Sequence, residues 1–280
     1  MDLTNIKTIK NVLKKHKLWA KKSLGQYFLI DKKSLENVIN SADLDKSDTV
    51  LEVGPGIGTL TSELFKKAKK VIAIEKDPVM SHILKENAAE VKKLKIIEGD
   101  ILKINLQKEL PRDYKVVSNI PFNITSPLIR YFLEAQNKPR EIVLTIQKEV
   151  AEKICAKPGN MSILAIAVQF YAKPEIAGFI SKKSFWPVPK VDSAIIKIVP
   201  RVTPWTRDIY EKEFFRLVRI GFSSPRKQLI NNLAAGFQIP KEKIVEILKK
   251  AEISSHVRAQ DLSLGDWLDL YKIFNEYDIL

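Results

Sequence analysis

The run Leu51-Glu-Val-Gly54-Pro-Gly56-Ile-Gly58-Thr59 constrains the chain more than any other, because three glycines at alternate positions follow an apolar β-branched stretch and precede an amphipathic one. A glycine turn between a strand and a helix lets the backbone approach a ligand closely, since Gly has no Cβ and tolerates unusual φ/ψ. The spacing is G-x-G-x-G, and Thr59 stands where the dinucleotide fingerprint needs a small helix-packing residue, so the match to a nicotinamide site is incomplete. A tight strand-to-helix connection without a ligand is the competing reading of this turn taken alone.

Short β-branched runs alternate with longer amphipathic stretches from there to residue 200, the texture of βαβ units around a mostly parallel sheet. Strands are expected at 49–53, 71–75, 95–98, 114–118, 142–146, 175–180 and 193–199, seven in all. Helices are expected at about 59–70, at 78–89 and from near Met161. Pro204 and Trp205 mark a linker, after which only helical periodicity remains, at 208–222, 225–235, 241–251 and from Ser263. This divides the chain into an α/β domain over 1–201, with a basic N-terminal extension, and a small all-helical domain over 202–280.

Two acids stand in register with the glycine turn. Glu75 ends the second expected strand, 21 residues beyond Gly54, where a carboxylate accepts hydrogen bonds from both ribose hydroxyls of an adenosine. Glu98-Gly-Asp100-Ile101 ends the third, so that Asp100 can accept from an adenine amino group while Ile101 packs on the ring. Glycine turn, ribose acid and adenine acid at successive strand ends form the pattern of a class I S-adenosylmethionine methyltransferase, with a Rossmann-like sheet.

The fourth strand ends in Asn119-Ile120-Pro121-Phe122, beside the expected cofactor. An adenine N6 lone pair is delocalised into its ring and is a poor nucleophile. A site must therefore hold the amino hydrogens on two acceptors, here the Asn119 amide oxygen and the Ile120 carbonyl, while Phe122 stacks on the extruded base. No serine–histidine–acid triad competes: His16, His82 and His256 are scattered along the sequence and read as solvated or packed. No metal is expected.

These residues, with Lys21-Lys-Ser-Leu-Gly-Gln-Tyr-Phe-Leu29 and Phe185-Trp-Pro-Val-Pro-Lys-Val-Asp-Ser193, resemble the small-subunit (16S) ribosomal RNA adenine N6,N6-dimethyltransferase family, KsgA-type, over nearly the whole chain. The resemblance implies transfer of methyl groups from S-adenosylmethionine to two adjacent adenosines in the 3′-terminal hairpin loop of 16S rRNA in the 30S particle, with a role in small-subunit biogenesis. It places cofactor contacts at Tyr27, Leu29, Gly54, Gly56, Glu75, Asp100, Ile101 and Asn119, and the target adenine between Phe122 and Phe185. The chain departs from the family at Tyr27, where Asn is usual, and at Phe122, where Tyr is usual. Erm-type 23S rRNA methyltransferases share Asn-Ile-Pro-aromatic and are the sister reading, against which stands the resemblance of 217–232 and 257–264 to the small-subunit family's C-terminal domain. A non-catalytic assembly factor on the same fold predicts a damaged motif, whereas Glu75, Asn119, Pro121 and Phe122 are all present.

Charge agrees with an RNA partner. Forty-seven Lys and Arg against 33 Asp and Glu give a net +14, which favours a polyanion. Lys21 and Lys22, within a run of lysines that precedes the fold, and Arg219, Arg226 and Lys227 in the tail are the candidate phosphate contacts. The single Cys155 excludes an internal disulfide, and no stretch is apolar enough for a secretory signal or a membrane span. A monomeric, cytoplasmic protein is expected.

Overall fold

Strand, turn and helix alternate through the computed structural model, which describes residues 1–20, 26–89, 91–106, 109–201 and 209–280. They fall into two units: Met1–Ala151 with Lys173–Pro200, and Glu152–Ala172 with Arg201–Leu280.

The first unit opens with α1 (Ile6–Lys15), which starts where the Asn5 side chain accepts the amides of Lys7 and Thr8. Next come β1 (Phe28–Leu29), α2 (Lys32–Ser41), β2 (Thr49–Val53), α3 (Thr59–Lys67), β3 (Lys70–Glu75), α4 (Pro78–Asn87) and β4 (Leu94–Glu98). In chain order they are followed by β5 (Lys115–Asn119), α5 (Thr125–Glu134), β6 (Glu141–Gln147), α6 (Lys148–Ile154), α7 (Ile163–Tyr171), which falls in the second unit, and then β7 (Ala172–Ile180), β8 (Phe185–Trp186) and β9 (Ser193–Pro200).

Seven strands form one sheet in the order β4-β3-β2-β5-β6-β9-β7, and β1 pairs with β8 in a separate two-stranded ladder. β4, β3, β2, β5 and β6 run parallel, while β9 is antiparallel to β6. The central strands are sealed on both faces, and Val143, Leu144 and Ile146 of β6 are fully buried. Such burial goes with the nearly continuous apolar runs of these strands rather than an alternating pattern. Successive strands step outward from β2 through β3 to β4, then in the opposite direction from β5 through β6. The order thus reverses between β2 and β5, and the carboxyl ends there are where an open α/β sheet holds a ligand.

The expected mostly parallel, seven-stranded α/β fold is present, with three corrections. The N-terminal lysines do not precede the fold, because α1 is amphipathic: Ile9 and Leu13 are buried in a cluster with Phe28, Ile57, Met80 and Ile83, and Lys7, Lys10 and Lys14 point outward. The chain passes between the two units after Ala151, Ala172 and Pro200, the last next to the break expected at 201/202, so that α7 groups with the C-terminal helices. Phe170 of this nearly all-apolar helix stacks on Phe214 at 4.9 Å between ring centroids. The helix expected from Pro225 begins at Leu229, because Ser223 to Lys227 are turns and bends.

The second unit is completed by α8 (Glu211–Gly221), α9 (Leu229–Phe237), α10 (Lys241–Lys250) and α11 (Leu264–Glu276). Trp267 of α11 is fully buried, and a Cβ at Gly221 would lie 2.3 Å from its ring. No helix among the described residues is long and apolar enough to cross a membrane.

Candidate active site

A cavity of about 540 Å³ opens at the carboxyl ends of β2, β3, β4 and β5 and is lined by Tyr27, Leu29, Gly54, Gly56, Glu75, Asp100, Ile101 and Asn119 among others. Every cofactor residue expected from the sequence therefore meets in one place, and its size suits a ligand of nucleoside-cofactor dimensions.

The glycine turn is shaped for close approach. Gly54 and Gly56 hold φ of +66° and +57°, and added Cβ atoms would sit 3.4 Å from Pro121 and 3.3 Å from the Phe28 ring. Any side chain would be strained at either position, and at Gly56 it would also crowd the Phe28 ring.

Glu75 is tied to the turn it faces. One carboxylate oxygen accepts the Gly56 amide at 3.1 Å and the other accepts the Asp77 amide at 2.9 Å. These bonds hold the carboxylate in one orientation, with further lone pairs available to a ribose diol. Burial raises its pKa, and the amide bonds oppose that rise. Asp100 is held the other way: a hydrogen bond from the Lys76 ammonium, 2.9 Å away, and the Leu102 amide keep its carboxyl below the usual range. On the neighbouring β2, Glu52 is 2% exposed, and desolvation pushes its pKa up to about 8, with Glu75 adding to the rise.

Asn119 is oriented by the backbone. Its Nδ2 donates to the Tyr27 carbonyl at 3.0 Å, which fixes the amide so that Oδ1 is presented as an acceptor. Just before it, the Ser118 hydroxyl donates to the Val53 carbonyl and accepts the Val53 amide at 3.1 Å. That pair of bonds clamps β2 to β5 beyond their last paired residues, Leu51 and Val116. The Ile120 side chain is buried, and Pro121 closes over Gly54.

Phe122 carries its ring on a short 3-10 turn over Phe122–Ile124, against the ring of Tyr27. Phe185 does not face it. At 1% exposure, Phe185 packs among Val38, Val117, Val143 and Ile195 in the core, so its ring is no wall of the cavity. The pairing of β1 with β8, Leu29 opposite Phe185, fixes this inward orientation.

Sequence reasoning missed Lys76, Ser118 and the aromatic role of Tyr27. Lys76 directly follows Glu75 and Ser118 directly precedes Asn119, so adjacency to a candidate site residue was the available signal. Arg219, Arg226 and Lys227 are exposed, the first in the last turn of α8 and the others in the loop before α9. None of the three is ion-paired with a described residue. Lys21 and Lys22 lie outside the described residues.

Residues 17–276 match the family described as Ribosomal RNA adenine dimethylase. The Ribosomal RNA small subunit methyltransferase A of Dehalococcoides mccartyi is 43% identical over 263 residues, 93% of this chain and 90% of the relative. The protein of the same name from Enterococcus faecalis is 38% identical, covering 93% and 92%. Among solved structures, a dimethyladenosine transferase from Plasmodium falciparum superposes with a TM-score of 0.73 at 30% identity, over 89% of this chain and 98% of that one. The 23S rRNA methyltransferase ErmE gives the same TM-score at 26% identity, over 89% and 99%.

Proposed function

Because the chain belongs to the ribosomal RNA adenine dimethylase family, we propose that it dimethylates N6 of two adjacent adenosines in the 3′-terminal hairpin loop of 16S rRNA. In this reading the substrate is a 30S particle or its precursor, and the enzyme acts as a cytoplasmic monomer. The single observation that carries the chemistry is the Asn119 amide, locked by the Tyr27 carbonyl at the edge of a cavity that holds Glu75 and Asp100.

S-adenosylmethionine, the cofactor of this family, fits the residues present. Glu75 and Asp100 are the ribose and adenine acceptors, and the two left-handed glycines leave room for its methionine end. When bound, it supplies an electrophilic sulfonium methyl group. The protein's part is positioning: Asn119 Oδ1 and the Ile120 carbonyl accept the two N6 hydrogens and turn the nitrogen lone pair toward that methyl group. Phe122 and Tyr27 provide aromatic surface for the unstacked base. No strong base is required, because the amine becomes acidic only as the new N–C bond forms.

The fold likeness does not choose the target RNA, since the dimethyladenosine transferase and the 23S rRNA methyltransferase superpose with the same TM-score. The small-subunit names of the relatives at 38–43% identity support the 16S reading. Nucleoside mass spectrometry of 16S rRNA from cells with and without the gene tests it directly. Loss of dimethyladenosine from the 3′ hairpin on deletion is expected, and an unchanged 16S rRNA with altered 23S rRNA would overturn it.

A further inference from the structure

Two of the chain's three histidines are far apart in sequence yet meet on one carboxylate. His82 and Glu86 lie one turn apart on α4, and His16 is the residue that ends α1. His16 Nε2 is 3.2 Å from one Glu86 oxygen, and His82 Nε2 is 3.3 Å from the other. One ligand atom from each of the three residues lies within 4.8 Å of the other two, and the imidazole rings meet edge to face at 5.8 Å.

We propose that His16, His82 and Glu86 form a binding site for a divalent transition-metal cation of the zinc class, which staples α1 to α4. Zinc takes imidazole nitrogen and carboxylate oxygen at about 2.0–2.2 Å, and the corners of a tetrahedron of that size are about 3.3 Å apart. Each nitrogen already stands at about that spacing from a Glu86 oxygen, His16 from one and His82 from the other, so a turn of the carboxylate is what gives both the same oxygen across the cation. Two nitrogens and one oxygen suit zinc, copper or nickel, whereas magnesium and calcium select all-oxygen sites. Three protein ligands leave a fourth position for water.

The competing occupant is Lys15, whose ammonium is 2.8 Å from Glu86 and whose side chain is 68% exposed. An exposed ion pair of this kind is weak, so its displacement costs little. Each imidazole, in the tautomer that carries its proton on Nδ1, turns the Nε2 lone pair to the cation. The staple lies beside the cluster in which Ile9 and Leu13 of α1 cover Ile57 and Met80. Met80 also lines the cavity, so the metal would hold α1 over one wall of the active site.

The test is calorimetric titration of Zn²⁺ alone into chelator-treated full-length protein, with thermal melting and limited proteolysis of the N-terminal segment alongside. One equivalent should bind with a Kd of about 10 µM or tighter, raise the melting temperature and slow cleavage near α1. His82→Ala, at a side chain 63% exposed and therefore safe for folding, and His16→Ala should each weaken binding by about tenfold or more. His256→Ala and Cys155→Ser should leave it intact, and Lys15→Ala should tighten it. Absence of binding up to about 1 mM, or binding that survives His82→Ala, overturns the proposal.

Discussion

The ring of Tyr27 is stacked on the ring of Phe122, with centroids 5.4 Å apart and planes 29° from parallel. The two rings are closed on each other, because a base sandwiched between them needs about 7 Å, two aromatic layers. Under the proposed function, opening the pair is part of admitting the target adenine, with Tyr27 rather than the buried Phe185 as the ring that faces Phe122. Tyr27→Ala keeps the backbone carbonyl that holds Asn119. It should therefore change affinity for S-adenosylmethionine by less than about threefold and lower kcat/KM for the particle about 10- to 100-fold, the worth of one stacked base. Equilibrium binding and steady-state kinetics on one preparation check this. A selective loss of cofactor affinity would instead make Tyr27 a polar cofactor contact.

Glu52 links pH to stability. Its carboxyl titrates near 4.5 when exposed and is pushed up to about 8 by burial in the fold. The folded state binds the extra proton between those values, so stability is greatest below that window and falls as pH rises through it, by about 1.4 kcal/mol per unit at most. Burial of Glu75 acts in the same direction. Glu52→Gln should flatten the decline between about pH 6 and 8, measured by denaturant unfolding. An unaltered slope would show that Glu52 is not the titrating group.

Lys115 is an ion buried at the start of β5, 5% exposed in its side chain and 3.2 Å from Asp48, which is equally enclosed. Its ammonium also donates to the carbonyls of Ala42 and Asp43 at 2.8 and 2.7 Å. Lys115→Ala leaves Asp48 with the Arg140 guanidinium, 2.8 Å away, as its one close cation among the described residues, beside the Asp45 amide that donates to it at 2.9 Å. A loss of about 3 kcal/mol is expected, the low end for breaking a buried pair, read as a shift of the urea midpoint. A change under about 1 kcal/mol would mean that solvent reaches the site.

Arg226 and Lys227 sit exposed on the loop before α9. As phosphate contacts they should each contribute close to one unit to the slope of log affinity against log salt, so the double alanine variant should lower that slope by about 1.5 to 2. Filter binding to 30S particles across a salt series measures it. An unchanged slope would place the RNA elsewhere.

Most of the sheet and the residues that line the cavity were legible because each depends on local signals. β6 reads as a nearly continuous apolar run, Thr145 apart, because both its faces are covered, and Glu75 and Asp100 are set by their place at strand ends. What escaped depends on pairing between distant segments. The two-residue ladder of β1 with β8 has no periodicity to read, and it is this ladder that turns Phe185 into the core. The apolar spacing of Ile6, Ile9 and Leu13 did carry the signal of α1, but its lysines drew attention to charge instead. α7 reads correctly as a helix, yet nothing local says that Phe170 packs with Phe214. His82 and Glu86 stand four apart, a readable pair, whereas the arrival of His16 follows only from the docking of α1 on α4.

The most direct measurement is methyl transfer from labelled S-adenosylmethionine to unmethylated 30S particles and to protein-free 23S rRNA, with nucleoside mass spectrometry of the products and Asn119→Ala alongside. Dimethyladenosine in 16S rRNA only is predicted, reduced at least about 100-fold in the variant, as for loss of a positioning hydrogen bond made in the transition state, while the variant still binds the cofactor. Label in 23S rRNA, or undiminished transfer by Asn119→Ala, would contradict the account.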